Sequence, residues 1–172
     1  DKSDAENLRI IIGDLSTKNA EKIINNHKNA KAIIFDVFNE LQLETEIEKS
    51  DLVISMLPAR FHIEVAKSCI KFKKHLVTAS YISKEIKALD KAAKENGLVF
   101  MNEIGLDPGL DHMSAMQILN RIREKNAKML LFESFCGGLV APESDTNLWN
   151  YKFTWNPRNV VLAGQGGAAM FI

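Results

Sequence analysis

Short apolar runs alternate with helical spacing along most of the chain. Residues 8–12 form a strand candidate, interrupted by Arg9 and closed by Gly13-Asp14. Ser16 or Thr17 caps the next helix, where Ala20, Ile23, Ile24 and His27 recur at three- and four-residue spacing. Residues 32–35 read as a second strand, ending at Asp36. Asn39 and Gln42 have capping-box spacing at the start of a helix that places Leu43 and Ile47 on one face. Residues 52–57 are a third strand, halted by Pro58, which has no backbone N–H to donate. Over 61–73 the spacing is helical, with Val65, Ala66, Cys69 and Ile70 inward. Residues 76–79 are a fourth strand. Ser83 caps a helix carrying Ile86, Leu89 and Ala93, and Gly97 closes it. Residues 98–101 are a fifth strand.

The texture changes after Asn102. Residues 102–109 are rich in turn formers, and a helix is predicted over 111–125 with Ala115, Ile118, Leu119 and Ile122 inward. Residues 128–135 read as a strand. Tyr151, Phe153 and Trp155 alternate with Lys152 and Thr154, the pattern of a half-exposed antiparallel strand. Strands this apolar, separated by helices, predict an α/β fold with a parallel sheet covered on both faces. The boundary falls between 104 and 112. Residues 1–110 then form a partial dinucleotide-binding domain of Rossmann type, and 111–172 the start of an α/β substrate domain.

That fold opens with a strand, a Gly-x-Gly-x-x-Gly turn and a helix. No such motif occurs; Gly13 is alone, and Gly137-Gly138 and Gly166-Gly167 have the wrong spacing. Yet Asp14 ends the first visible strand, where a carboxylate accepts from the ribose hydroxyls of NAD. Asp36, one strand later, falls near the adenine. The expectation is a chain that begins after the first strand and helix, with the missing strand central in the sheet. Asp14 would repel a 2′-phosphate, and Lys18 is the only nearby cation, so NAD is expected ahead of NADP.

Composition narrows the classes further. Lys and Arg number 22 against 22 Asp and Glu, which gives no electrostatic case for nucleic acid or an anionic membrane. The apolar fraction of 46% suits a globular core. No run approaches the roughly 18 apolar residues of a spanning helix. Cys69 and Cys136 make no disulfide framework, and with the four histidines they show no zinc spacing, so no metal is expected. Ser80 and Tyr81 lack a sequence partner for hydrolase chemistry. His27, His62 and His75 read as surface or helix-end residues. His112 reads as structural or as a neighbour of the site, and Cys136 as a pocket wall rather than a nucleophile.

Five motifs occur in order over about residues 8–165. They are Leu52-Val53-Ile54-Ser55-Met56-Leu57-Pro58, Val77-Thr78-Ala79-Ser80-Tyr81-Ile82-Ser83, the stretch from Asn102 to His112, the stretch from Phe135 to Ser144, and Tyr151-Lys152-Phe153-Thr154-Trp155. Together they resemble saccharopine dehydrogenase of the glutamate-forming type and the dehydrogenase half of the bifunctional aminoadipic semialdehyde synthase. The resemblance implies an NAD- or NADP-dependent oxidoreductase of lysine metabolism. It cleaves saccharopine to glutamate and 2-aminoadipate 6-semialdehyde, or runs the reverse.

By that match Leu57 and Pro58 lie at the nicotinamide side, and Ser80 and Tyr81 contact saccharopine. Leu106, Asp107 and Pro108 sit at the junction of cofactor and substrate. Cys136 lines the substrate pocket, and Phe153 and Thr154 lie near the cofactor. Asp107 is the candidate to hold the substrate amine, and Asp107 and His112 are candidate proton carriers. The family's substrate-binding arginine falls further downstream. The substrate is a small amino acid. A homodimer, a fused lysine-ketoglutarate reductase domain, and a cytoplasmic or mitochondrial-matrix location all stay open. Two other readings remain: a sister amine enzyme, such as homospermidine synthase or carboxynorspermidine dehydrogenase, and a Rossmann module without catalysis.

Overall fold

A computed structural model describes residues 2–135 and 140–152. The elements are β1 (Ile10–Asp14), α1 (Thr17–Ile24), β2 (Ala30–Ile34), α2 (Glu40–Glu48) and β3 (Leu52–Ser55). Next come a 3-10 turn (Ala59–Phe61), α3 (His62–Phe72), β4 (His75–Thr78), α4 (Lys84–Ala88), α5 (Asp90–Glu95), β5 (Phe100–Met101) and α6 (Leu110–Glu124). A second 3-10 turn spans Pro142–Ser144. The chain forms two compact units, residues 1–120 and 121–172.

All strand pairing among these elements is parallel. β1 pairs with β2, with Ile10 opposite Ala30. β3 pairs with β4 and β4 with β5, with Leu52 opposite His75 and Leu76 opposite Phe100. These are two separate sheets, β1-β2 and β3-β4-β5. The sequence places a central strand between β1 and β3, and no described strand joins them.

The core lies where α2, α3 and α4 meet β3 and β4. Leu43, Ile47, Val65, Ala66, Cys69, Leu76 and Ile86 are buried together. Burial pushes the Cys69 thiol up to about 12, so it packs as a small apolar group. Caps set the helix starts. Asn39 Oδ1 accepts from Gln42 N at 3.1 Å, but Gln42 Oε1 accepts from Asp36 N at 3.0 Å rather than from Asn39, so half of the predicted box is redirected. Ser83 Oγ accepts from Ile86 N at 3.2 Å.

Several expectations are corrected. The single helix after Ser83 is two, α4 and α5, divided at Leu89. Among the described residues the sheet is not covered on both faces: Ile54 of β3 and Met56 at its exit are exposed. Ile118 of α6 is exposed, not inward, and Ile23 of α1, which shares helical spacing with Ala20, is exposed as well. Residues 128–135 form no strand. Met129, Leu130, Leu131 and Phe132 are exposed, and without a partner strand their backbone groups have no ladder to join. The predicted strand over 151–155 lies mostly outside the described residues.

Candidate functional site

In a parallel sheet every strand delivers its carboxyl end to the same rim, where ligands of open α/β sheets bind. Ser55 is the last residue of β3 and is buried. The chain turns at Pro58 and enters α3 at His62. Ser55 Oγ lies 2.8 Å from His62 Nδ1, and His62 Nε2 lies 2.8 Å from Ser80 Oγ. His62 is 4% exposed, and burial lowers its pKa, which keeps the ring neutral.

The exits of β4 and β5 are laced together past their ladder. Glu103 N donates to Ser80 O and Ile104 N to Thr78 O, both at 3.1 Å. Thr78 Oγ1 donates to Asn102 Oδ1 at 3.2 Å, and Glu103 Oε1 accepts from Ile82 N at 3.0 Å. The following loop closes on itself: Gly105 N donates to Pro108 O at 2.8 Å and Leu110 N to Gly105 O at 2.9 Å. Gly109 has φ +150°, and a Cβ there would lie 2.1 Å from Gly105 O, so no larger residue fits. The Asp107–Pro108 peptide is cis.

This loop carries Asp107 to Tyr81, whose hydroxyl donates to Asp107 Oδ1 at 2.9 Å. That hydrogen bond, then burial, then the charges of Asp107, Asp111 and Glu103 push the Tyr81 phenol up to about 12. Tyr81 is therefore a fixed donor at neutral pH, beside three carboxylates. Asp111 Oδ1 accepts from Gly109 N at 2.9 Å and meets His112 Nδ1 at 2.7 Å. The hydrogen bond to Asp111, reinforced by its charge, raises the His112 pKa. The exposed His112 ring thus lies directly against the Asp111 carboxylate.

The remaining predicted residues fall as follows. Leu57 packs partly buried against the core, while Pro58 and Leu106 are exposed and Pro108 is buried. Asp14 is exposed at the end of β1, with Oδ1 accepting from Ser16 N at 2.9 Å. Asp36 Oδ1 accepts from Phe38 N at 2.9 Å. The Phe38 ring meets Phe61 edge-on at 5.0 Å, which ties the Asp36 loop to the turn after Pro58. Cys136, Phe153 and Thr154 lie outside the described residues.

Sequence reasoning missed His62. Its surface or helix-end reading is half right: it opens α3, but it is buried. The available signal was topological, since Ser55 and His62 flank the exit of one parallel strand. Ser55, and Glu103 as a brace of the Tyr81 turn, were missed as well. His27 acts locally, accepting from Asn29 N at 3.2 Å, while His75 accepts from Val99 N at 3.0 Å and links the start of β4 to the approach of β5.

Comparison with known proteins gives the relationship. Residues 1–101 match the family model of the saccharopine dehydrogenase NADP binding domain, and residues 105–172 that of the saccharopine dehydrogenase C-terminal domain. The chain is 41% identical to saccharopine dehydrogenase [NADP(+), L-glutamate-forming] of Pyricularia oryzae, over 95% of this chain and 36% of that protein. It is 40% identical to alpha-aminoadipic semialdehyde synthase of Arabidopsis thaliana, over 98% of this chain and 16% of that protein. Among solved structures, apo saccharopine dehydrogenase (L-Glu forming) from Saccharomyces cerevisiae superposes with a TM-score of 0.77. That match has 38% identity and covers 90% of this chain and 35% of that one. The chain thus spans about a third of the dehydrogenases it matches. The expected preference for NAD is not supported, because the matching domain and the fungal relatives are described by NADP. The chain belongs to the saccharopine dehydrogenase family.

Proposed function

We propose that this chain supplies part of the cofactor and substrate sites of a glutamate-forming saccharopine dehydrogenase that uses NADP(H). The observation that carries the reading is the Tyr81–Asp107 hydrogen bond. It joins two motifs, far apart in sequence, that the resemblance assigns to saccharopine. In the reaction saccharopine, NADP⁺ and water give glutamate, 2-aminoadipate 6-semialdehyde, NADPH and a proton. The cofactor, when bound, supplies the hydride acceptor.

The chain's own residues hold and orient. Pro58 and Leu106 offer exposed apolar surface on the rim for the nicotinamide side, with Leu57 behind, and Pro108 shapes the loop. Asp107, fixed by the Tyr81 donor, holds the substrate amine, and Glu103 and Asp111 add to a negative field that favours a cationic nitrogen. Ser80 contacts the substrate alongside Tyr81. Asp107 and His112 stay the two candidates for moving a proton, and Cys136, Phe153 and Thr154 are assigned by resemblance alone. Residues 1–110 are the nucleotide half and 111–172 the start of the substrate half. Asp14 acts as a turn acceptor through Ser16 N, and Asp36 likewise shapes its loop. The mouse, rat and bovine relatives are named mitochondrial, which fits one of the two expected locations.

The full-length gene product, assayed for reduced cofactor with saccharopine and either NADP or NAD, tests this. Turnover that favours NADP is expected. Turnover favouring NAD, together with a shift towards NADP in Asp14→Ser with Leu15→Arg, would restore Asp14 as the ribose reader. Folded enzyme that binds NADP but acts only on a related amine would replace saccharopine as the substrate.

A further inference from the structure

We infer that His62 is a positioning residue that turns the Ser80 hydroxyl into a hydrogen-bond donor toward a carboxylate of the substrate. The inference rests on the substrate contact proposed above for Ser80 and adds the polarity of that contact.

Both ring nitrogens of His62 are engaged, Nδ1 with Ser55 and Nε2 with Ser80, each at 2.8 Å. A neutral imidazole has one donor and one acceptor nitrogen, so the two hydroxyls must play opposite roles. Ser55 decides which. It is buried, and among the described residues its hydroxyl meets His62 Nδ1 and no other side chain. A buried O–H without an acceptor is costlier than an oxygen with a spare lone pair. Ser55 therefore donates to Nδ1, which places the ring proton on Nε2. His62 Nε2–H then donates to Ser80 Oγ.

Having accepted from His62, Ser80 keeps its own proton for an outside acceptor. Ser80 is half-buried on the rim, and its carbonyl is held by Glu103 N at 3.1 Å, so the residue is fixed at both ends. The His62 backbone N–H donates to Ala59 O, which anchors the ring at the entry of α3. A carboxylate only accepts, and an amino acid such as saccharopine brings more than one. The opposite tautomer would present the Ser80 oxygen lone pairs and repel the same group.

Full-length enzyme tests this with two variants. His62→Asn places its amide near the Nδ1 position, serving Ser55 and abandoning Ser80. His62→Gln reaches the Nε2 position and keeps a donor to Ser80. His62→Asn is expected to raise the saccharopine KM about tenfold, as for one lost hydrogen bond to a charged group, and His62→Gln to bring it back to within about threefold. Cofactor Kd should match between the two variants, and His62→Gln, which leaves the buried Ser55 hydroxyl without its acceptor, should have the lower Tm. Nitrogen NMR of isotope-labelled histidine in the wild type, with the His62 signal identified by its loss in either variant, should place the proton on Nε2. Equal KM values for both variants would reduce His62 to a structural role and overturn the inference. A proton on Nδ1 would overturn the polarity. A Ser80→Ala enzyme with the wild-type KM would overturn the substrate contact itself. The NMR result separates that failure from a failure of His62, because it reads the Ser55–His62–Ser80 network without substrate.

Discussion

The β1–α1–β2 arm and the β3–α3–β4 segment repeat the same strand–helix–strand plan, with helices of comparable amphipathic spacing. They bury very different amounts. α3 packs on β3 and β4 and is flanked by α2 and α4, and it buries His62, Val65, Ala66, Ser68 and Cys69. α1 packs on β1 and β2 and buries Ala20 alone, while Ile23 is 80% exposed. A residue stabilises only through the area it removes from water, and that area depends on neighbours rather than on its own helix. Matching patterns thus form matching elements with unequal energetic weight. The candidate site sits on the heavily packed segment, where Ser55, His62 and Ser80 can be held still.

Large-to-small substitution breaks the comparison most directly. Leu76 is 1% exposed, so Leu76→Ala should lower unfolding free energy by about 2–5 kcal/mol in urea denaturation. Ile23→Ala should stay within about 0.5 kcal/mol. Equal losses would mean that the arm is packed as tightly as the β3–α3–β4 segment, and the contrast would fail.

Helix caps sharpen the contrast at smaller scale. Ser83 makes its cap bond to Ile86 N, so Ser83→Ala should cost about 1 kcal/mol. Ser16, at the start of α1, makes no side-chain cap bond, and Ser16→Ala should cost only a few tenths, on the order of a surface change. A Ser16→Ala loss as large as that of Ser83→Ala would show α1 to be held by an interaction these positions do not provide.

The smallest effect is the pH response of the exposed Asp111–His112 pair. The raised His112 pKa gives stability that is complete below its ordinary value of 6.5 and is lost as pH rises through the raised one. For Asp111 partial burial pushes the pKa up, but hydrogen bonds from His112 and Gly109 outweigh it and the net shift is downward. Its contribution is present above the ordinary value of 3.8 and is lost as pH falls through the lowered one. The stability difference between wild type and Asp111→Asn should therefore peak between 3.8 and 6.5 and shrink with added salt. A difference that is flat across pH would remove the pair as an electrostatic contact.

Much of the fold was legible because its signals are local. Five strands and the helices between them follow from periodicity, and Pro58, Asn39 and Ser83 mark ends through backbone chemistry. The break at Leu89 was not legible, since Ile86, Leu89 and Ala93 keep a helical spacing across it. Residues 128–135 were misread for the opposite reason: their apolar run resembles a strand, but a strand exists only with a partner. Among the candidate site residues, the motifs pointed to Ser80, Tyr81 and Asp107, and the structure brings Tyr81 and Asp107 into hydrogen-bond contact. His62 was not, because a lone histidine at a helix start gives no sign of what lies across the rim.

By itself the sequence determined the order of the first five strands, their parallel arrangement and the family. These depend on spacing, turn chemistry and motif order, all of which are written along the chain. Tertiary structure alone decided that Ser55 and Ser80 share one imidazole, that Tyr81 donates to Asp107, and that Ile23 stays in water while Leu76 does not. Each of these depends on which distant residue arrives at a given point in space. Hydrogen bonding and burial act between neighbours in space, so a one-dimensional pattern carries them only indirectly.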